Sequence, residues 1–117
     1  MVLQENRFIA RDSFGVQASV TNNTALLRLS GELDLSTVGQ LREQIFRPEV
    51  LDAHEVRVDL SGITFLDSSG IGVVVTACKL ARAAGGSFSV VCVPPGIVRR
   101  LLELNGLADY LELGDAP

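Results

Sequence analysis

Val58-Asp59-Leu60-Ser61-Gly62-Ile63-Thr64-Phe65-Leu66-Asp67-Ser68-Ser69-Gly70-Ile71-Gly72 carries the chain from a strand, through a turn, into a helix, and that passage decides the fold class. The stretch begins inside Glu55-Val56-Arg57-Val58-Asp59-Leu60, where apolar and charged residues alternate strictly. A period of two is the mark of a strand with one buried face. Ser61-Gly62 reads as a turn, and Ile63-Thr64-Phe65-Leu66 leads into Asp67. From about Ser69 to Ala84, Ile71, Val74, Val75, Cys78 and Ala81 recur at the spacing of a helix face. Arg82 falls on the same stripe in the last turn, its stem over apolar surface and its head in water. Asp67 or Ser68 caps the helix start, and Gly85-Gly86 ends it, since glycine accepts the left-handed C-cap conformation.

Working outward, Val16-Gln17-Ala18-Ser19-Val20 and Ala25-Leu26-Leu27-Arg28-Leu29-Ser30 read as strands joined by the turn Thr21-Asn22-Asn23-Thr24, a hairpin. Gly31-Glu32-Leu33-Asp34 breaks the pattern. Ser36 or Thr37 then caps a helix with apolar positions Val38, Leu41 and Ile45, which Pro48 closes. On the other side, Ser87 to Val93 is a strand. Pro94-Pro95 opens a helix, with Pro95 near its first position and an apolar side of Ile97, Val98, Leu101, Leu102 and Leu104. Asn105-Gly106 stops that helix, and Leu107 to Leu113 forms a short last strand.

The order is therefore β-β-α-β-α-β-α-β. It predicts an α/β fold: a mixed sheet with an initial antiparallel hairpin, then parallel β-α-β crossovers. A parallel sheet covered on both faces reads as unbroken apolar runs. Arg28, Arg57 and Asp59 interrupt these, so the helices gather mainly on one face. Residues 1–13 read as an N-terminal extension, 14–113 as the single domain and 114–117 as a flexible tail.

Composition narrows the function. A chain of 117 residues with 47% hydrophobic content fits one domain with a core. No run of about 18 apolar residues predicts a membrane span. Met1 to Asp12 lacks a basic region followed by an apolar one, so no secretory signal is expected and the protein is expected in the cytoplasm. A net charge of −4 without a basic run argues against direct nucleic-acid binding. Cys78 and Cys92 stand among apolar neighbours as buried reduced thiols, and one histidine, His54, leaves too few soft ligands for zinc.

The candidate site is Asp67-Ser68-Ser69-Gly70-Ile71-Gly72. Two hydroxyls at a helix start place a modifiable oxygen beside free backbone N–H groups, which tolerates a phosphate, bound or covalently attached. The ordinary reading is a capped helix packed closely on the sheet. One oxygen suffices for a cap, yet three adjacent residues offer one. Two early glycines also cost roughly 1 kcal/mol each against alanine, which close approach by a backbone or a phosphate would explain. A nucleophile elbow needs glycine two residues away on both sides of the serine, and neither Ser68 nor Ser69 has that. A phosphate-binding loop needs a lysine that the segment lacks. Neither intrinsic catalysis nor a cofactor is expected. The second candidate is Gly31-Glu32-Leu33-Asp34. Both turns follow strands in a parallel arrangement and emerge on one sheet edge, which puts Asp34 near Ser68.

Gly31-Glu32-Leu33-Asp34, the stretch Val58 to Gly72, Gly85-Gly86 and Leu104-Asn105-Gly106-Leu107 together resemble a STAS domain, with the nearest likeness to bacterial anti-sigma factor antagonists. The resemblance spans Phe14 to Leu113. It implies a non-catalytic regulator phosphorylated on the serine directly after the aspartate, here Ser68. It implies as partners an anti-sigma factor serine kinase, from which the unmodified antagonist displaces a sigma factor, and a metal-dependent serine phosphatase that restores the active form. Asp34, Asp67, Ser68, Ser69 and Gly70 are then the partner-binding residues, with Ser69 in support, and the chain is a monomer or weak dimer. The segment before Phe14 is longer than compact relatives need, and many relatives carry a further amphipathic helix after the last strand. A phosphate adds about −1.5 to −2 charges at a helix start that already favours them, so little backbone change and a large loss of kinase affinity are expected. The alternatives are a stressosome-type, transporter-associated or lipid-transport STAS module, and, ranked last, a nucleotide-binding protein.

Overall fold

The computed structural model of the chain describes residues 5–11, 13–93 and 96–114. Its strands are β1 (Glu5–Arg11), β2 (Phe14–Thr21), β3 (Thr24–Leu33), β4 (Glu55–Leu66), β5 (Ser87–Val91) and β6 (Leu113–Gly114). Its helices are α1 (Val38–Ile45), α2 (Pro48–Leu51), α3 (Ser68–Ala83) and α4 (Ile97–Leu104). The strands form one sheet in the order β1-β2-β3-β4-β5-β6. The first two pairings are antiparallel and the remaining three parallel, as the two short strand-to-strand turns and the helical crossovers require. At the β2–β3 turn, Asn22 and Asn23 sit at φ of 51° and 62°, the left-handed pair of a two-residue hairpin.

Along β4, Val56, Val58 and Leu60 are buried while Arg57 and Asp59 are only partly covered. Across the sheet Gln17 and Arg28 are exposed, and the Arg28 guanidinium lies 4.0 Å from Asp59. One face thus carries the core and the other keeps polar groups near water, as the alternation predicts. Cys78 and Cys92 are buried and unpaired, and burial raises both thiol pKa values. Among the described residues, no helix is long and apolar enough to cross a membrane.

Several elements differ from the sequence reading. The stretch assigned to an N-terminal extension contains β1, an edge strand paired along Glu5–Arg11 with Phe14–Val20. Ser61-Gly62 does not end a strand. β4 continues to Leu66, and its register against β3 shifts twice, from Arg28↔Asp59 to Ser30↔Gly62 and from Gly31↔Ile63 to Glu32↔Phe65. Each shift inserts one extra residue in β4, the signature of a β-bulge. Ser61 is used in the first: its N–H donates to Asp59 Oδ1 (2.8 Å), and its hydroxyl oxygen accepts from Val93 N–H (2.8 Å). Pro48 closes α1 but also opens α2 as its first residue. Leu107 to Glu112 forms turns, leaving only Leu113–Gly114 as a strand, so Gly114 belongs to the sheet and not to a tail. The Pro94-Pro95 start and residues 115–117 lie outside the described residues.

The α3 stripe is rotated from the expected one. Gly70, Val73, Val74, Ala77, Cys78 and Ala81 are buried, and Ile71 and Val75 only pack at its edge. Three consecutive valines fit either stripe by apolarity, and the glycine that centres the buried face does not register as apolar. In α4 the buried residues are Val98 and Leu102, with Ile97 and Leu104 exposed. The Arg82 head group is not left to water: Nη2 donates to Phe88 O (3.3 Å) and Tyr110 O (2.7 Å) and pairs with Glu112 (3.2 Å). The guanidinium also lies 4.9 Å from the centre of the Tyr110 ring.

Candidate functional site

Two aspartate turns, built alike, lie side by side where β3 and β4 end. After β3, Asp34 Oδ1 accepts from Ser36 N–H (2.9 Å), Ser36 Oγ–H (2.6 Å) and Thr37 N–H (3.2 Å). After β4, Asp67 Oδ1 accepts from Ser69 N–H (3.0 Å), the Ser69 hydroxyl and Gly70 N–H (3.3 Å). In each, an aspartate is followed by an outward residue and a serine, just before α1 in one and as the first residues of α3 in the other. The carboxylate satisfies the free N–H groups at the turn and helix start and fixes the serine hydroxyl. Hydrogen bonding holds both carboxyls below the usual aspartate pKa, chiefly through the hydroxyl of Ser36 for Asp34 and of Ser69 for Asp67. The anticipated α1 cap differs in detail. Thr37 makes no side-chain cap bond; its hydroxyl donates to Glu32 O (2.8 Å) and accepts from Asp34 N–H (3.0 Å).

The backbone joins the turns. Asp67 N–H donates to Leu33 O (3.2 Å), and the backbone N–H of Leu35 adds a small contribution to the lowered pKa of Asp67. Asp34 lies between those two residues, so the structure brings the Asp34 and Ser68 turns onto one edge, as their places after parallel strands imply.

The serines are not equivalent. The Ser69 hydroxyl is committed to Asp67, whereas Ser68 is exposed and its hydroxyl makes no hydrogen bond among the described residues. The glycines differ as well. Gly70 is buried, and a Cβ there would stand 2.6 Å from Leu33 Cγ and 2.9 Å from Leu66 Cδ1. It therefore shapes the helix start from below and presents no surface of its own. A Cβ on Gly72 would meet nothing within 4 Å. Gly72 lies in the wall of a groove of about 380 Å³ between α1 and α3, together with Ser68, Ser69, Arg42, Phe46 and Thr76.

Leu35, Arg42 and Phe46 were not singled out by sequence. Leu35, at the position in its turn that Ser68 holds in the other, is 78% exposed. The repeated spacing of Asp34-Leu35-Ser36 and Asp67-Ser68-Ser69 is the signal that could have found it. Arg42 and Phe46 enter only through the packing of α1 beside α3. A second, apolar groove of about 230 Å³ lies between the end of β4 and α4, lined by Phe65, Ile97 and Leu101 among others. Among the described residues no cluster of histidine, cysteine and carboxylate side chains is fit to hold a metal.

A family model described as the STAS domain matches residues 15–116. The chain belongs to the STAS domain family. This STAS domain is 35% identical over 91 residues to the anti-sigma F factor antagonist of Paenibacillus polymyxa, with 77% of each chain covered. It is 26% identical over 101 residues to the anti-sigma-B factor antagonist of Bacillus subtilis (strain 168), covering 86% of this chain and 91% of that one. The crystal structure of an anti-sigma factor antagonist from Mycobacterium paratuberculosis matches it with a TM-score of 0.78 at 28% identity, over 92% of this chain and 90% of that chain. The α/β mixed sheet is thus that of a STAS domain, and the chain is related to anti-sigma factor antagonists at moderate identity.

Proposed function

We propose that this STAS domain is an anti-sigma factor antagonist switched by phosphorylation of Ser68. In its unmodified form it binds an anti-sigma factor serine kinase and releases the sigma factor that the kinase holds. Phosphate on Ser68 ends that binding, and a metal-dependent serine phosphatase reverses the modification. Catalysis belongs to these partners, and the domain supplies the surface and the acceptor oxygen. The observation that carries the reading is the contrast between the serines: Ser68 offers an exposed hydroxyl without a hydrogen bond among the described residues, and Ser69 has its own engaged by Asp67.

The surroundings fit a switch by charge. Asp34 and Asp67 are held ionised beside Ser68, so a phosphate of about −1.5 to −2 raises an already negative edge. A partner that closes on exposed Leu35 and Ser68 has to desolvate that charge and meets repulsion if its own surface is acidic. The helix start accommodates the anion without rearrangement, so the effect falls on binding. Incubating the protein with candidate anti-sigma kinases and ATP, followed by mass spectrometry, tests this. Phosphate is expected on Ser68, none on Ser68→Ala, and weakened kinase binding for Ser68→Asp. Phosphate on Ser69 alone, or equal affinity of Ser68→Asp and wild type, refutes it.

A further inference from the structure

The groove beside Ser68 contains a cation with no assigned task. Arg42, on α1, lines the groove across from Ser68 and Ser69 on α3, and among the described residues its side chain makes no hydrogen bond or ion pair. The other side chains there have little to offer an anion. Phe46 and Val73 are apolar and Gly72 has no side chain. The Ser69 hydroxyl is bonded to Asp67, and the Thr76 hydroxyl donates to Gly72 O (2.8 Å). The groove holds about 380 Å³, room for a phosphoryl group carried on the Ser68 oxygen. A Cβ built on Gly72 would meet nothing within 4 Å, so that part of the groove is open.

We propose that Arg42 is the phosphate clamp of this switch. Once Ser68 is phosphorylated, the Arg42 guanidinium swings onto the phosphoryl oxygens and holds them in the groove between α1 and α3. The inference rests on Ser68 being the modified residue. A guanidinium matches two phosphate oxygens with two parallel N–H donors, which a single ammonium cannot do. Asp34 and Asp67, the carboxylates flanking Ser68, oppose the phosphate, and Arg42 offsets part of that repulsion from the opposite wall. The clamped phosphate then lies against α1, so the modified edge differs from the free one in shape as well as charge.

The test introduces phosphoserine at position 68 during synthesis, so that it does not depend on any kinase. Failure of a kinase to modify Ser68 bears on the proposed function, and the titration below bears on Arg42 alone. Phosphorus NMR follows the second ionisation of the phosphate in wild type, Arg42→Lys and Arg42→Gln. Asp34 and Asp67 remain charged throughout that range, since hydrogen bonding holds both below the ordinary carboxylate pKa. A nearby cation favours the dianion, so Arg42→Gln is expected to raise the midpoint by about 0.5 or more, with Arg42→Lys between. The Arg42 Nε–H resonance of the wild type is expected to move on phosphorylation. Coincident midpoints for wild type and Arg42→Gln overturn the proposal. So does an Arg42 resonance that phosphorylation leaves in place, a readout that needs no variant to fold.

Discussion

Replacing Gly70 and Gly72 by alanine, one at a time, isolates the packing that sets the site. Both glycines stand in the first turns of α3, so alanine brings each the same gain in helix propensity, about 1 kcal/mol. Their surroundings are opposite. The new methyl at 70 falls 2.6 Å from Leu33 Cγ and 2.8 Å from Leu33 Cδ2, and Leu33 is 0% exposed, with no solvent to retreat into. Overpacking of this kind costs about 1–3 kcal/mol. The methyl at 72 meets nothing within 4 Å. The propensity gain cancels in the comparison, so Gly72→Ala is expected to exceed Gly70→Ala in stability by the whole overpacking cost, about 1–3 kcal/mol. Urea unfolding with unchanged m-values measures the difference directly. Equal stabilities within about 0.5 kcal/mol would show that Leu33 yields freely, and would refute the view that Gly70 seats the helix start against the Asp34 turn.

Leu35→Ala is expected to leave stability nearly unchanged, because the side chain is 78% exposed, yet to weaken binding of the anti-sigma kinase by about tenfold or more if the partner buries it, as calorimetric titration would show. The pH dependence of stability has a defined sign. Asp34 and Asp67 have folded pKa values below their unfolded ones, so their contribution is complete above the unfolded value of about 3.9 and is lost as pH falls through the folded values. Urea melts between pH 2 and 6 are expected to weaken below about pH 4, and Asp67→Asn is expected to flatten that dependence. Arg82→Met removes the donor shared by Phe88 O and Tyr110 O, so amide exchange is expected to quicken at Val90 and Cys92, whose N–H groups bond to Leu111 O and Gly114 O, ahead of Val56 and Val58 in the sheet centre.

What the sequence reveals follows from how local each signal is. The hairpin at Asn22-Asn23, the alternation of Val56, Val58 and Leu60, and Asp67 before α3 are decided by neighbours in the chain, and all are read correctly. β1 escapes because an edge strand needs only one partner and shows no buried-face alternation strong enough to stand out. Ser61-Gly62 carries turn residues, but the same residues suit a bulge, and only pairing with β3 distinguishes the two. The α3 stripe is misplaced because its centre is Gly70, whose role is defined by Leu33, far away in sequence. At the site, Asp34, Asp67 and Ser68 are visible as residue types after strands. Arg42 and Phe46 are invisible until α1 lies beside α3, and the commitment of Ser69 to Asp67 is a matter of one rotamer.

The two bulges of β4 act as a vernier between the strands that carry the site. Thr24 pairs with Glu55, thirty-one positions later, but Leu33 pairs with Leu66, thirty-three positions later. If the same strands paired without the two bulges, Leu33 would face Thr64, and the aspartate turns would be offset by about 6.6 Å along the strands. The Asp67 N–H would then miss Leu33 O, and the backbone N–H of Leu35 would no longer help to lower the pKa of Asp67. The alignment of Asp34 with Ser68 is therefore set in mid-strand, where Asp59 and Ser61 shape the first bulge, at a distance from any partner. Pairing the same two strands without the bulges would leave every side chain in place along the chain and still move the Asp34 and Ser68 turns out of step.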